Sequence, residues 1–310
     1  MLISMNLLRH QRGASSQRVP LGRPLISPYW LIASILVLDA IGIMMKGLKV
    51  ELPTFVEPML IWLALFAPSR LRRWPAAACF NRSAAALALA IAATMALACL
   101  VAMNQRPPID GALAAADRWL GFDWSATDQW LSVHSFENVV LILAYQSYPI
   151  QIRVLFYLGA RTRDHRGSEL IWLNGIGLII CLAVSGSIPS VGYPSAANLM
   201  GIHNLQILRD PAIGTLSLLQ SVGTISFPSF HAVLAGTLTY CWRGSRAFVP
   251  MAALNVVMLI SIPAVGGHYL ADLAAGSAIG LLAIGITRWG IQTCSSYRKV
   301  GENSPPALQG

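Results

Sequence analysis

The chain has 310 residues, of which 55% are hydrophobic and only 11% are charged, and its formal net charge is +9. Soluble globular proteins carry about 25% charged residues, so this composition excludes an ordinary soluble enzyme, a disordered chain and a nucleic-acid binder as first interpretations. The basic surplus instead indicates membrane topology, because basic residues collect in cytoplasmic loops.

Apolar blocks follow one another along the chain, most of them near the roughly 20 residues that cross a hydrocarbon core of about 30 Å. They predict an all-α fold, a polytopic membrane helix bundle with about eight transmembrane helices. A β-barrel is excluded because its strands alternate in hydrophobicity. The second block is short and contains Glu57. The predicted spans are 28–48, 53–68, 84–103, 138–158, 169–188, 228–242, 249–266 and 270–290.

The basic residues are divided unequally between the two sides of this bundle. With the N-terminus in the cytoplasm, 17 of the 22 Lys and Arg residues belong to cytoplasmic segments and helix ends. The other five belong to outer segments: Lys46, Lys49, Arg106, Arg118 and Arg209. The positive-inside rule then makes 1–27 and 291–310 cytoplasmic tails. We expect an integral protein of a bacterial inner membrane whose outer loops face the periplasm or cell exterior.

Two long segments, 104–137 and 189–227, are predicted on the outer side. The first carries Trp119, Trp124 and Trp130, whose rings suit a membrane–water interface. We expect short helices along the membrane surface there, with a structural role and a lipid-entry role both open. None of the five cysteines lies in an outer segment or a Cys-x-x-Cys pair, so we predict no disulfide and no zinc site.

Candidate catalytic residues lie at the outer ends of the last three spans. The sixth span opens with Ser226-Phe-Pro-Ser-Phe-His231, and we expect Pro228 in its first turn. The free amides and positive dipole of a helix start form a site for an anion such as phosphate. Ser229 adds a hydroxyl donor beside His231. Tyr145 and Tyr148, in the fourth span, are interpreted as polar contacts within the bundle.

The second motif, Gly266-Gly-His268-Tyr-Leu-Ala-Asp272, joins the seventh and eighth spans. His268 and Asp272 are four residues apart, so on a helix they share one face. A carboxylate beside an imidazole fixes its tautomer and raises its basicity, as a histidine nucleophile or base requires. The predicted topology places His231 and His268 on the same side, so the two can meet in one pocket.

These two motifs resemble the second and third signatures of the type 2 phosphatidic acid phosphatase superfamily. The resemblance covers roughly residues 140–290 and implies phosphate-ester chemistry through a phosphohistidine. It implies His268 as the nucleophile, Asp272 as its orienting partner and His231 as the general acid. It implies that Ser229 and nearby amides, with Gly267, bind the phosphate. No metal or other cofactor is expected, because His268 itself supplies the nucleophile.

The sequence departs from that superfamily where phosphate-clamping cations are expected. The first signature, Lys-x6-Arg-Pro, is missing, since residues 185–194 contain no basic residue, and Ser261-Ile262 stands where the third signature usually has Ser-Arg. These losses resemble the inositol phosphorylceramide synthase and sphingomyelin synthase branch, which moves a phospho-headgroup from a lipid donor to a lipid alcohol. Because phosphate needs a cation or many donors, Arg209 is the leading replacement. An ion pair with Asp210 is the alternative for Arg209, and Arg106 and Arg118 are further candidates.

Two classes of function follow. The first is a membrane phosphatase or phosphotransferase acting on a lipid phosphate at the outer face, with water or a lipid hydroxyl as the acceptor. The second is a catalytically inactive lipid transporter or scaffold, but transporters often show inverted repeats and broken spans, and neither is visible. The expected partners are a lipid phosphate and membrane lipids, not nucleic acid, and the oligomeric state is open. The spans and outer segment of 28–137 precede a catalytic membrane domain at 138–290.

Overall fold

The structure is a computed structural model that describes residues 28–51, 75–162, 166–195 and 198–302. The predicted second span, 53–68, lies outside these residues. Helices dominate the rest, as the apolar blocks predict. The helices are α1 Pro28–Lys46, α2 Pro75–Ala102, α3 Asp110–Trp119, α4 Trp124–Val133, α5 Ser135–Tyr145, α6 Tyr148–Thr162, α7 Arg166–Ser187, α8 Leu199–Leu208, α9 Phe230–Cys241, α10 Phe248–Gly266 and α11 Leu270–Glu302.

Within the described ranges, five helical stretches are long and apolar enough to cross a membrane. They are Tyr29–Lys46, Ser135–Gly159, Arg166–Ser187, Phe248–Gly266 and Leu270–Gly290. Two shorter apolar helical stretches, Ala88–Ala102 and Phe230–Cys241, coincide with the predicted third and sixth spans. The chain is therefore an integral membrane protein. A total of eight spans, and the division of the chain at residues 137 and 290, stay predictions.

The predicted fourth span is broken into two helices. α5 ends at Tyr145 and packs against α10, whereas α6 begins at Tyr148 and packs against α2, α7 and α9. The break follows from Pro149, because a proline ring in a continuous helix would clash with the carbonyl four residues earlier. Proline has no amide hydrogen, and Pro149 is the second residue of α6, where an amide would have no intrahelical acceptor. The start of α6 therefore loses no hydrogen bond.

The sixth span begins later than expected. Ser229 is the N-cap of α9, with extended backbone angles (φ −69°, ψ 115°), and the helix proper starts at Phe230. The expectation that Pro228 lies in the first turn is therefore wrong, because Pro228 precedes the cap. The Ser229 amide donates instead to the Asp272 carbonyl oxygen at 3.1 Å, which joins the starts of α9 and α11.

α9 lies at the centre of the bundle and packs against α6, α7, α10 and α11. Two glycines of α11 allow its close approach to α9. A Cβ on Gly276 would collide with the Ser229 carbonyl oxygen, and one on Gly280 would lie 3.3 Å from the Val233 carbonyl oxygen. Small residues of this kind permit close helix contacts in membranes. The buried side chains around α9 include Leu155, Leu170, Leu173, Val233, Leu238 and Met258.

A short parallel sheet, which the all-α prediction did not include, covers part of one end of the bundle. β1 (Lys49–Glu51) pairs with β2 (Thr215–Ser217) in the register Lys49 to Thr215, and a 3₁₀ turn, Leu218–Ser221, follows β2. The cluster that supports the sheet joins the ends of α1, α2 and α8. It contains Leu48, Cys99, Ala102, Leu205, Leu208 and Leu216.

Basic residues lie at the opposite end of α9 from His231. Arg243 donates to both carboxylate oxygens of Glu169 at 2.7 and 2.9 Å, and Arg166 donates to the Cys241 carbonyl oxygen at 3.0 Å. The two predicted cytoplasmic loops that carry Arg166 and Arg243 therefore meet at one end of α9, away from the two histidine motifs. Which end faces the cytoplasm stays a prediction.

Candidate active site

The His268 motif lies in the turn between α10 and α11. Gly267 adopts a left-handed conformation (φ 64°) at the C-cap of α10, which a residue with a side chain rarely adopts. His268 Nδ1 lies 3.2 Å from Asp272 Oδ2. His268 precedes α11, so the shared helix face that the spacing suggests is not the cause. Asp272, the third residue of α11, folds back and also accepts from the Tyr269 amide at 3.0 Å, as in a capping box.

A third residue, Ser226, completes this arrangement. Its hydroxyl donates to Asp272 Oδ2 at 3.1 Å and lies 3.4 Å from His268 Nδ1. Asp272 is fully buried, and His268 is only 6% exposed. The carboxylate favours the tautomer with the proton on Nδ1. The His268 Nε2 lone pair is then free to act as a nucleophile. The local sequence does not indicate this role of Ser226, because its contact with Asp272 depends on tertiary structure.

His231, the second residue of α9, is held by two tyrosines of the broken fourth span. The hydroxyl oxygen of Tyr145 lies 3.0 Å from His231 Nδ1. The Tyr145 ring stacks on the imidazole with centroids 4.0 Å apart, and the Tyr148 ring meets it edge-on at 5.3 Å. The interpretation of these tyrosines as polar contacts within the bundle was therefore too general.

The two histidine motifs approach each other around Gly266. A Cβ on this residue would lie 2.7 Å from His268 Cδ2 and 3.0 Å from the Tyr145 hydroxyl oxygen. The glycine therefore leaves room for the nucleophile candidate and for the tyrosine that contacts His231. The structure brings both motifs to the same end of the bundle, and their catalytic roles stay predictions.

Neutral donors surround the two motifs. The Ser229 hydroxyl is buried and has no hydrogen-bond partner among the described residues. It stands at the start of α9, where the first amides of a helix lack intrahelical acceptors. The buried Ser195 hydroxyl is also unpartnered within the described part of the chain, and it would lie 3.0 Å from a Cβ on Gly267. Ser195 was not predicted, and nothing in its local sequence distinguishes it from other loop serines.

Arg209 lies at the C-cap of α8 and contacts the end of α2. Its Nε donates to the Ala102 carbonyl oxygen at 3.4 Å. Burial lowers the pKa of its guanidinium, and the nearby Asp110 carboxylate opposes that shift. The alternative partner, Asp210, accepts from the Ala212 amide at 2.8 Å. Among the described residues Arg209 forms no hydrogen bond with either histidine, so its role as a phosphate ligand stays a prediction.

The two further cation candidates differ in what they contact. Arg106 donates to the Ser187 carbonyl oxygen at 2.9 Å, which attaches the outer segment to the end of α7. Arg118 is exposed near the end of α3. Among the described residues, neither arginine side chain forms a hydrogen bond with His231 or His268.

Two aspartates of α3 fasten the outer segment to the site. Asp110 accepts from the Ser190 hydroxyl and from the Val191 and Gly192 amides, the last at 2.8 Å. Asp117 is fully buried and accepts from the Leu270 amide at 3.2 Å, where α11 begins. Neither was predicted, because acidic residues seven apart on a helix ordinarily indicate its solvated face.

Gly192 and Tyr269 connect Asp110 and Asp117 to the two histidine motifs. A Cβ on Gly192, whose φ is 84°, would lie 2.7 Å from the Ser226 hydroxyl oxygen. Burial raises the pKa of Tyr269, and the carboxylates of Asp110, Asp272 and Asp117 raise it further. Tyr269 therefore keeps its proton and its capacity to donate a hydrogen bond.

The family model of the PAP2 superfamily matches residues 111–286, which is more than half of the chain. The chain belongs to the PAP2 superfamily. Members of this superfamily are phosphatases or phosphotransferases. The matched range contains His231, His268 and Asp272, and it also contains Asp117. Searches of curated proteins and of solved structures gave no match.

Two features of this PAP2 protein bear on its chemistry. Where a basic signature was expected, residues 185–194 instead supply Ser190 and Gly192, which bind Asp110. In the described part of the chain, no three His, Cys, Asp or Glu side chains come together as a metal site. Cys99, Cys181 and Cys241 are buried, and none of them forms a disulfide within the described residues.

Proposed function

We propose that this protein cleaves or transfers a lipid phosphate through a phosphohistidine on His268. The observation that carries the proposal is the contact of His268 Nδ1 with the buried Asp272 carboxylate at 3.2 Å. Such a partner orients the imidazole and stabilises the positive charge that develops as Nε2 attacks. Membership of the PAP2 superfamily supports the same class of reaction.

The first chemical step joins His268 to the phosphoryl group. Nε2 attacks phosphorus, the bond from phosphorus to the ester oxygen breaks, and His231 donates a proton to that departing oxygen. In the second step, water or a lipid hydroxyl attacks the phosphohistidine. His231 accepts the proton of the attacking group, the phosphorus–nitrogen bond breaks, and both histidines return to their starting states. General acid–base catalysis of this kind typically contributes about 10²–10⁴-fold.

The phosphate is held mainly by neutral donors in this proposal. Ser229, the first amides of α9, the Gly267 turn and Ser195 take the place of the cations that the family signatures usually supply. Preorganised amides and hydroxyls stabilise anionic charge strongly where water is excluded. Arg209, which lies near Asp110, adds positive charge and is the proposed phosphate cation.

Within this class, we propose a phospho-headgroup transferase similar to the inositol phosphorylceramide synthase and sphingomyelin synthase branch. The absent cations and the Gly-x-His-Tyr-x-x-Asp motif support this assignment over simple hydrolysis. We also propose that the site faces the periplasm or cell exterior, since Arg166 and Arg243 lie at the other end of α9.

A reconstituted assay tests the activity directly. The purified protein in lipid vesicles is incubated with phosphatidic acid, lysophosphatidic acid and headgroup donors such as phosphatidylinositol, with diacylglycerol or ceramide as acceptors. Released phosphate and new lipid products are measured together, and His268→Ala is the control. New phospholipid with little free phosphate supports transfer. If neither product exceeds the His268→Ala level on any substrate, the proposal is wrong.

A further inference from the structure

We propose that the exposed face of α3 is a lipid-binding surface, seated in the interfacial region of the leaflet nearest the two histidine motifs. We call it the α3 outer face, and its occupant is the phospholipid of the surrounding bilayer. The inference goes beyond the proposed reaction, since it requires no turnover at His268. The α3 outer face consists of Ala112, Ala115, Ala116, Trp119 and the C-cap residue Leu120, all of them exposed.

The polarity of α3 is unusual for a helix that borders water. Its acidic side chains bind the protein: Asp117 is fully buried and accepts from the Trp124 indole nitrogen at 3.0 Å, and Asp110 accepts from the Gly192 amide. Leu113 is buried with them. The opposite face is apolar, and Trp119 on it is 86% exposed. A helix in water normally exposes its charges and buries its large apolar side chains. The arrangement therefore fits a helix whose outer surroundings are lipid.

Hydrogen bonds at its two ends place α3 across the ends of two membrane-spanning helices. The Ile109 amide donates to the Pro189 carbonyl oxygen at 3.0 Å, two residues beyond the end of α7. At the other end of α3, Asp117 accepts from the Leu270 amide at 3.2 Å, where α11 begins. Both α7 and α11 contain stretches that are long and apolar enough to cross a membrane. Because α3 is fastened where these stretches end, it lies along the boundary of the hydrocarbon core.

The exposed side chains suit that boundary. Tryptophan is enriched at membrane–water interfaces, where its ring stays apolar and its N–H stays wet. Arg118 is exposed beside Trp119, and arginine can lay its stem along apolar surface while its guanidinium reaches the headgroups. The exposed apolar surface also continues along the chain, because Val133 and Phe136 are exposed where the membrane-spanning stretch Ser135–Gly159 begins.

The α3 outer face is joined to the residues around His268. Tyr269, the next residue in the chain, is buried and meets the Trp124 ring edge-on with centroids 6.2 Å apart. The two tryptophans of this region therefore have different roles: Trp124 fastens the outer segment to the bundle, and Trp119 faces lipid. Of the structural and lipid-entry roles open for the segment, this position supports direct contact with lipid close to the His268 turn.

Spin-label accessibility in phosphatidylcholine vesicles tests the surface. Nitroxide labels are attached to Ala112→Cys and Ala116→Cys, with Ala212→Cys, an exposed position in an outer loop, as the matched control. Signal from native cysteines is measured in the parent protein and subtracted. An interfacial helix buries its apolar face about 5–10 Å deep, where oxygen concentrates and a water-soluble nickel chelate is scarce. We expect collisions with nickel to fall at least about threefold below the control at both α3 positions, and collisions with oxygen to rise.

Each other pattern would overturn the proposal. Nickel collisions equal to those of the control would place the α3 outer face in water. Few collisions with either reagent, together with dipolar broadening between labels, would show that a second copy of the chain covers the face. Few collisions with either reagent and no broadening would show that another part of the same chain covers it.

Fluorescence checks the native side chain. The emission of Trp119 is obtained as the difference between the wild-type protein and Trp119→Phe, and brominated phosphatidylcholine is the quencher. We expect brominated lipid to reduce this difference signal by more than about half, because a ring in the interfacial region meets the acyl chains. A difference signal that brominated lipid leaves unchanged would rule out the lipid contact. Neither measurement involves turnover, so the loss of the proposed reaction and the loss of this surface are distinguishable.

Discussion

Replacing Asp272 with asparagine removes the charge beside His268 and changes little else. One carboxylate oxygen, Oδ2, accepts from His268, Ser226 and the Tyr269 amide. A hydrogen bond to a charged group is worth about 1.5–3 kcal/mol, and each 1.36 kcal/mol changes a rate tenfold. If this stabilisation is realised in the transition state, phosphoenzyme formation should slow by about 10- to 150-fold. An amide nitrogen that faces Nδ1 would also reverse the tautomer and deepen the loss.

The assay is rapid quench with radiolabelled lipid phosphate, followed by measurement of acid-labile label on the protein. Asp117→Asn is the control, because Asp117 is equally buried but accepts from the Leu270 amide and the Trp124 indole nitrogen, and contacts no histidine in the described residues. Its amide oxygen can still accept from the Leu270 amide, so the control should keep at least a third of the wild-type rate. Wild-type phosphoenzyme formation in Asp272→Asn would refute the orienting role. An equal loss in both variants would indicate a general effect on the fold instead.

Three further predictions concern charge, packing and topology. If Arg209 binds the phosphate, Arg209→Ala should raise the activation free energy of turnover by about 1.5–3 kcal/mol, the value of a hydrogen bond to a charged group. Unchanged steady-state kinetics would show that Arg209 is not part of the site. Gln151→Leu removes the buried hydrogen bonds that the Gln151 amide makes with Asn255, Ser147 and Trp242 and should lower the free energy of unfolding by about 1–3 kcal/mol, measured by thermal unfolding in detergent; an unchanged transition would show that this group of contacts contributes no net stability. In intact cells, an impermeant thiol reagent should label Ala212→Cys and not Arg246→Cys, relative to the parent protein, and the reverse pattern would invert the topology.

The lengths of the apolar blocks predicted most of the helices, because the thickness of the hydrocarbon core fixes how many consecutive apolar residues a spanning helix needs. They predicted the fourth span, which coincides with the apolar stretch Ser135–Gly159, but not the break in its helix, because Pro149 divides the block without lowering its hydropathy. The apolar pattern also wrongly placed Pro228 in the first turn of the sixth span. The Ser229 amide instead donates to the Asp272 carbonyl oxygen, more than 40 positions away, and local sequence does not reveal such a contact. The small β1–β2 sheet was invisible for the same reason, since its two strands are short and distant in sequence.

The candidate site was predictable where its partners are close in sequence. His268 and Asp272 were paired from their spacing, although a capping arrangement rather than a common helix face brings them together. The contacts of His231 with Tyr145 and Tyr148 join segments more than 80 residues apart, and spacing carries no information about such pairs. Asp110 and Asp117 were missed because acidic residues on one face of an amphipathic helix ordinarily predict its solvated side.

The short length of α9 constrains how deep His231 can lie in a bilayer. Twelve residues extend about 18 Å, whereas the hydrocarbon core is about 30 Å thick. If Arg243 marks one boundary of that core, His231 lies well below the opposite boundary. The outer segments then occupy the space that a longer α9 would fill, and they must do so with hydrogen-bonded backbone. Asp110 and Asp117 accept several of those amide hydrogens. A lipid headgroup would therefore meet the histidines beneath the plane of its neighbours, where access of bulk water is restricted.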